Sequence, residues 1–263
     1  MNNLLTIHFS RCKNGRNKTC RPSDEARAAG WCKIVLSQFI VKAIYCECKL
    51  LGQFGDAVDA DIEQGSGDNF GLMEVTVPDK LSVSAWQVVV HRYPALGEKI
   101  RIGTIPYELR GFMGLRNFFM DTEDGERLAQ ANSVWSLINH KKGVPVRVLP
   151  EMVEKYDVKE RLQMDYAPRK IAVPQGGIRQ EPFRVERQHL DGNHHVNNGQ
   201  YISMAMAYLP ENFAIRQMRA EYKKSALLHD IVVPIIVTEA DRVTVSLCSE
   251  DESPFVIVEL TGR

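Results

Sequence analysis

The chain has 263 residues, 44% of them hydrophobic, and its 33 basic residues are matched by 33 acidic ones. That length and apolar share support one large core or two modest ones. Balanced charge gives no electrostatic reason to expect a nucleic-acid partner, and no apolar run reaches membrane-spanning length.

Residues 1–37 read as an N-terminal appendage of uncertain order. Met1 to Ser10 lacks the apolar core and cleavage site of a secretory signal. Arg11, Lys13, Arg16, Lys18 and Arg21 make a basic stretch, followed by a short helix beginning at Ser23. The six cysteines (Cys12, Cys20, Cys32, Cys46, Cys48 and Cys248) follow neither a zinc nor a redox spacing, so reduced thiols in the cytoplasm are expected.

Ile40 to Cys48 then reads as a strand. Leu51, Phe54, Val58 and Ile62 recur at helical spacing from Leu50 to Gln64, and Gly65 stops that helix. Strands are expected over Val83 to His91, Lys99 to Leu109, Gly114 to Asp121 and Arg127 to Asn139, the last two joined by a turn at Glu123 to Glu126. Pro150 to Tyr156 is a short helix. Lys159 to Gly177, with Pro168, Pro174 and Gly176-Gly177, reads as a linker.

The order then repeats. Phe183 to Gln188 is a strand and Asn198 to Tyr208 a helix. Ala214 to Lys224, Ile231 to Glu239, Arg242 to Cys248 and Phe255 to Leu260 form a second strand meander. Strand, helix, meander therefore occurs twice, an internal duplication of architecture. The helix from Tyr201 to Tyr208 is almost uncharged on every face, so it must be wrapped. An antiparallel sheet curled around a central helix does this, and the expected class is α+β, a tandem double hotdog. Its first half is 38–158, its linker 159–177 and its second half 178–263.

The chemistry concentrates in Asp191-Gly192-Asn193-His194-His195-Val196-Asn197-Asn198-Gly199-Gln200-Tyr201. A carboxylate, a carboxamide and an imidazole stand at alternate positions, which share a face on extended backbone. The same stretch also reads as a plain turn, because Asp-Gly favours hairpins and Asn-Asn-Gly helix caps. His189, His194 and His195 raise zinc, but no second cluster offers ligands at the usual spacings. No metal and no cofactor is expected.

The D-x-N-x-H-V-N-N-x-x-Y pattern from Asp191 to Tyr201 resembles that of the acyl-acyl carrier protein thioesterases. His91-Arg92-Tyr93-Pro94 with Gly97-Glu98, Arg116-Asn117-Phe118, Asp124-Gly125-Glu126 and Ala131-Asn132-Ser133-Val134-Trp135 are similar to further segments of that family, in order. Arg147-Val148-Leu149-Pro150 and Glu221-Tyr222-Lys223-Lys224 also agree. The resemblance runs from about Ile40 to the C-terminus and implies a double hotdog that ends fatty acid synthesis by hydrolysing acyl thioesters. The family carries a catalytic glutamate directly after the E-Y-[RK]-[RK] run; here Ser225 stands at that position, followed by Ala226.

A thioester already has a good leaving group, so its hydrolysis needs a placed water, a proton acceptor and donors for the oxyanion. Asp191 is the candidate to deprotonate water and Asn193 to hold Asp191 or the carbonyl. His195 would polarise the carbonyl or protonate the sulfur. The N-terminus of the following helix offers free N–H groups. Ser225 can orient a water but cannot act as a carboxylate. Asp56, on the first-half helix, is a further carboxylate candidate, though Asp59 and Asp61 beside it suggest a solvated edge.

By the resemblance, the first half shapes the acyl tunnel. Trp86, Trp135, Phe112, Phe118 and Met73 are candidate lining residues or ordinary core. The expected partner is acyl carrier protein, met by basic residues such as Lys99, Arg101, Lys223 and Lys224, with the chain a monomer or homodimer. An acyl-coenzyme A thioesterase, or a weakened hotdog that only binds acyl thioesters, are the alternatives.

Overall fold

The computed structural model describes residues 3–8, 79–95, 98–139, 142–155 and 158–262. The expected strand at Ile40 to Cys48, the first-half helix with Asp56, the helix from Ser23, Met73 and five of the cysteines lie outside them. The described residues fall into two compact units. One contains residues 3–8, 79–82 and 91–164, the other 83–90 and 165–262.

In the first unit β3 (Lys99–Arg110), β4 (Met113–Thr122) and β5 (Arg127–Asn139) form consecutive antiparallel hairpins. All three begin within two residues of the starts expected from their apolar patterning. An additional strand, β1 (Asn3–His8), pairs with the far edge of β3 from Asn3 opposite Thr104 to His8 opposite Lys99. The short helix α1 spans Pro150–Lys155.

The first-unit motifs turn out to hold this sheet together. The Arg92 guanidinium grips both oxygens of Glu98 at 2.9 and 2.7 Å and both of Glu126 at 2.9 and 2.6 Å. These bonds drive the Glu98 and Glu126 carboxyls below their ordinary range, chiefly through the Arg92 hydrogen bonds. Asn117, fully buried, donates to the Ala131 carbonyl at 3.0 Å and accepts the Leu162 N–H at 3.0 Å. Ser133 Oγ accepts the Trp135 indole N–H at 2.8 Å and donates to the Arg116 carbonyl.

In the second unit the strands are β2 (Asp79–Val90, through its Val83–Val90 part), β6 (Ile178–Arg179), β7 (Phe183–Arg184), β8 (Ile215–Tyr222), β9 (Ile231–Thr238), β10 (Arg242–Cys248) and β11 (Pro254–Gly262). Their lateral order is β2-β8-β11-β10-β9-β6, with β7 also on β9. This corrects the expectation of a simple second meander. The last three strands are sequential, but β8 pairs with β11, not β9. The reason is visible in the register, where Val256, Val258 and Leu260 meet Tyr222, Ala220 and Met218 and continue one apolar face.

That face runs across the sheet as rows. One is Trp86, Ala220, Val258, Val245 and Ile236; its neighbour is Val88, Met218, Leu260 and Val243, with every member at most 9% exposed. Helix α2 (Asn198–Met206) packs on β10 and β11 and buries Tyr201, Ile202, Ala205 and Met206. Of these, Ile202 and Met206 each contribute about 1.5–3 kcal/mol on removal from water. The helix is not enclosed on all sides as its composition suggested. Ser203 and Ala207 are exposed, and their small size leaves little apolar area in water.

The opposite face of the sheet is polar, and residues 165–177 of the segment read as a linker are laid along it. Gln87 donates to the Asp165 carbonyl at 2.7 Å and accepts the Ala167 N–H at 2.9 Å. Arg219 donates to the Pro168 and Lys170 carbonyls at 2.6 and 3.0 Å, and also pairs with Glu259. Glu221 accepts the Ile171 N–H at 2.9 Å, and β6 then joins the edge of β9. The strap has little regular secondary structure, yet side chains satisfy its backbone in place of a strand partner.

The strand expected over Phe183 to Gln188 is only the two-residue β7. Beyond Val185 the chain turns through a 3₁₀ turn, Arg187–His189, whose His189 Nδ1 accepts the Glu186 N–H at 3.0 Å. That local bond takes the N–H a longer strand would need.

Candidate active site

The chain from Leu190 to Val196 is a tight hairpin closed by a bridge between those two residues. The His194 N–H donates to the Asp191 carbonyl at 3.0 Å, and the Asp191 N–H to the His195 carbonyl at 2.8 Å. His194 is left-handed at φ 61°, which fits a three-residue turn whose last residue reverses hand. The extended backbone assumed in the sequence reading is therefore a turn.

Two of the three residues are still brought together, for a different reason. Asp191 and His195 face each other across the hairpin, where opposed residues hold their Cβ atoms roughly 5 Å apart. Both are half-buried. Asn193 sits at the exposed tip, and exposed His194 serves the turn. The Asp191 carboxylate is oriented by its own loop, Oδ1 accepting the Asn193 N–H at 2.8 Å and the His195 N–H at 3.3 Å. Among the described residues Oδ2, the Asn193 carboxamide and the His195 ring make no hydrogen bond, which leaves them for a ligand.

The hairpin leads directly into α2. Asn197 caps this helix, its side chain accepting the Gly199 N–H at 2.8 Å. The cap uses one of the first-turn donors expected to be free, and the Asn198 N–H remains. Tyr222 donates to the Asn198 carbonyl at 3.0 Å, and its ring lies 6.2 Å from that of Tyr201. Burial pushes both phenols up: Tyr201 to about 12, Tyr222 further.

The segment after β8 meets the hairpin. Val196 donates to the Ala226 carbonyl at 3.0 Å, and His195 bridges Leu227. Ser225, one residue before Ala226, is thereby carried to the hairpin's side. It is exposed, and among the described residues its hydroxyl makes no hydrogen bond. Lys224 is drawn away, donating to Ser249 Oγ at 2.7 Å and to Ser253 Oγ, with its ammonium 4.8 Å from the Phe255 ring centre. Glu221 is committed to the strap and to Lys223 Nζ at 2.6 Å. Burial opposes its ionisation, but Lys223 and the Ile171 N–H outweigh this and hold the carboxyl below its ordinary range.

Two groups at this junction carried no role in the sequence reading. The Tyr201 hydroxyl accepts the Ala226 N–H at 2.8 Å, and Asp230 Oδ2 accepts the Leu227 N–H at 2.9 Å. A tyrosine at a buried helix position is itself a signal, since its hydroxyl needs a partner that phenylalanine would not. His189 uses Nδ1 on the Glu186 N–H. Among the described residues no three His, Cys, Asp or Glu side chains are grouped as a metal would require. Of the candidate lining residues Trp86, Trp135 and Phe118 are buried, while Phe112 is exposed. No described helix is long and apolar enough to cross a membrane.

A family model described as the acyl-ACP thioesterase N-terminal domain matches residues 81–156, and one described as the acyl-ACP thioesterase C-terminal domain matches residues 175–250. Together they take in more than half of the 263 residues. A chloroplastic acyl-(acyl-carrier-protein) hydrolase of Cuphea viscosissima is 27% identical over 210 residues, which is 74% of this chain and 48% of that protein. The chain thus spans about half the length of that curated relative. A 12:0-ACP thioesterase from Umbellularia californica has a similar structure, with a TM-score of 0.68 at 17% identity over 99% of this chain and 97% of that one. An acyl-ACP thioesterase from Bacteroides thetaiotaomicron gives 0.64 at 17% identity, over 71% and 77%. At such identities the likeness is one of fold, and it agrees with the tandem hotdog expected from the sequence.

Proposed function

Because the chain belongs to the acyl-ACP thioesterase family, we propose that it hydrolyses fatty acyl thioesters of acyl carrier protein, releasing the free fatty acid and ending chain growth. The observation that carries this reading is the Asp191–His195 pair, opposed across a hairpin that opens into a buried helix, with the Asp191 carboxylate oriented by two backbone N–H groups.

In this reading Asp191 Oδ2 takes a proton from the attacking water as the oxygen adds to the thioester carbonyl. Asn193 and the Asn198 N–H are the donors for the developing oxyanion. Collapse of the intermediate breaks the C–S bond; His195 delivers its proton to the departing sulfur and regains the one that Asp191 took from the water, so both groups return to their starting states. The products are a carboxylic acid and the free thiol of the carrier. No covalent enzyme intermediate is required.

The test is steady-state hydrolysis of acyl-carrier protein across chain lengths by the unaltered chain and by Asp191→Asn. The substitution keeps the shape and removes the base, so kcat should fall by about a thousandfold. Activity within a fewfold of the unaltered chain would exclude Asp191 as the base.

Ser225 supports a second reading, in which the site binds acyl thioesters and turns them over slowly. Ser225→Glu would then raise turnover on the carrier thioester. Parallel assays on acyl-coenzyme A separate the carrier preference from general thioester hydrolysis.

A further inference from the structure

Ala226 is a fully buried residue whose peptide groups are gripped from both sides. Its carbonyl accepts the Val196 N–H at 3.0 Å from the hairpin, and its N–H donates to the Tyr201 hydroxyl at 2.8 Å from the helix. Val196 and Asn197 run straight into that same helix. The result is a closed ring: hairpin end, first turn of α2, Tyr201 side chain, Ala226, and back to Val196. Leu227 continues the ring beside His195, and Ser225 precedes it.

Tyr201 is only 2% exposed, and its ring packs against Tyr222. Packing alone would be served by phenylalanine. The hydroxyl adds a fixed acceptor for an N–H that would otherwise be buried without a partner, a loss comparable to a full hydrogen bond. Burial, with the nearby Asp230 and Asp191 charges adding to it, pushes this phenol up to about 12.

We propose that Tyr201 is a positioning residue for thioester hydrolysis, its hydroxyl holding the Ser225–Leu227 segment in register with the Asp191–His195 pair. The proposal rests on the thioesterase reading above. A shift of this segment by a fraction of an ångström changes the geometry of the reacting groups more than it changes acyl-chain binding, so the effect belongs in kcat.

The experiment compares the full chain with Tyr201→Phe on acyl-carrier protein. Expected is a fall in kcat of about tenfold with KM held within about twofold. Any gain produced by Ser225→Glu should disappear in the Tyr201→Phe background, because the segment bearing residue 225 is no longer held. Amide hydrogen exchange supplies an activity-independent arm: the Ala226 amide should exchange at least about tenfold faster in Tyr201→Phe, while amides of β10 and β11 keep their rates.

Unchanged kcat, a loss confined to KM, or unchanged Ala226 exchange each overturn the proposal. If the variant does not fold, exchange in the unaltered chain decides. An Ala226 amide no slower than that of exposed Ser225 would overturn the proposal, and one about tenfold slower sustains it. Failure of the unaltered chain to hydrolyse any acyl thioester overturns the underlying reading instead, a result distinct from an active enzyme indifferent to Tyr201→Phe.

Discussion

Asp191 engages one carboxylate oxygen with its own loop, at 2.8 and 3.3 Å from two backbone nitrogens. In the proposed reaction such a group is aimed before substrate arrives, which is how a carboxylate on a surface turn would be used with precision. The alternate spacing of Asp191 and His195 marks them as a pair on extended backbone; the left-handed His194 instead makes the hairpin that opposes them. Tyr201 adds a residue-scale pH dependence. Its pKa rises from 10.0 to about 12 on folding, so above pH 10 the unfolded chain gives up the proton first and stability falls as pH rises towards 12. At about 1.4 kcal/mol per pH unit this costs about 2–3 kcal/mol over that window. Tyr222 acts in the same direction. Urea unfolding from pH 9 to pH 11.5 should show the decline in the unaltered chain and a shallower one in Tyr201→Phe.

At the scale of elements, polar side chains anchor a strap that has little secondary structure of its own. Glu221 is one of its buried anchors, 1% exposed and bonded to the Ile171 N–H and Lys223. Glu221→Ala should reduce the unfolding free energy by about 2–3 kcal/mol and Glu221→Gln, which retains an acceptor for Ile171, by less, as read by urea denaturation. The Glu221 carboxyl is depressed on folding, so its contribution is present at neutral pH and is lost as pH drops through the folded value. Gly103 tests the first unit: a Cβ there would lie 2.2 Å from Phe119 Cζ, so Gly103→Val must push aside a ring that also carries the Arg127 guanidinium at 4.8 Å. A loss of about 1–3 kcal/mol in thermal or urea unfolding is expected. Strand extents were largely legible, because period-two apolar runs such as Arg242 to Cys248 leave little choice. The short β7 was not, since Glu186 and His189 close a local turn that apolar patterning does not record. Nor was the β8–β11 pairing, which depends on which distant strand supplies the matching apolar row.

Over the whole molecule, the described N-terminal strand shows how far apart in sequence partners can lie. Asn3 to His8 covers the outer edge of β3, which begins at Lys99. Deleting residues 3–8 should bare that edge, lower the thermal midpoint and raise light scattering on heating, because an unpaired edge recruits other chains. Normal monodispersity and an unchanged midpoint after the deletion would show that this pairing contributes nothing. The first-half motifs also have a clear job at this scale. Arg92, Glu98, Glu126, Asn117 and Ser133 bond to one another or to the backbone, so they specify a sheet rather than a reaction.

The sequence alone determined the class of fold, the extents of most strands and the eleven-residue stretch that holds the candidate site, because apolar periodicity and the order of polar motifs are local properties. Tertiary structure decided the rest. It turned Asp191, Gly192 and Asn193 into a hairpin, laid the linker along the polar face of a sheet, and brought Ala226 between Val196 and Tyr201. The last two outcomes rest on hydrogen bonds between residues 25 to 80 positions apart, as from Ala226 to Tyr201 and from Ala167 to Gln87. No window along a chain contains both partners of such a bond, so only the folded chain assigns them.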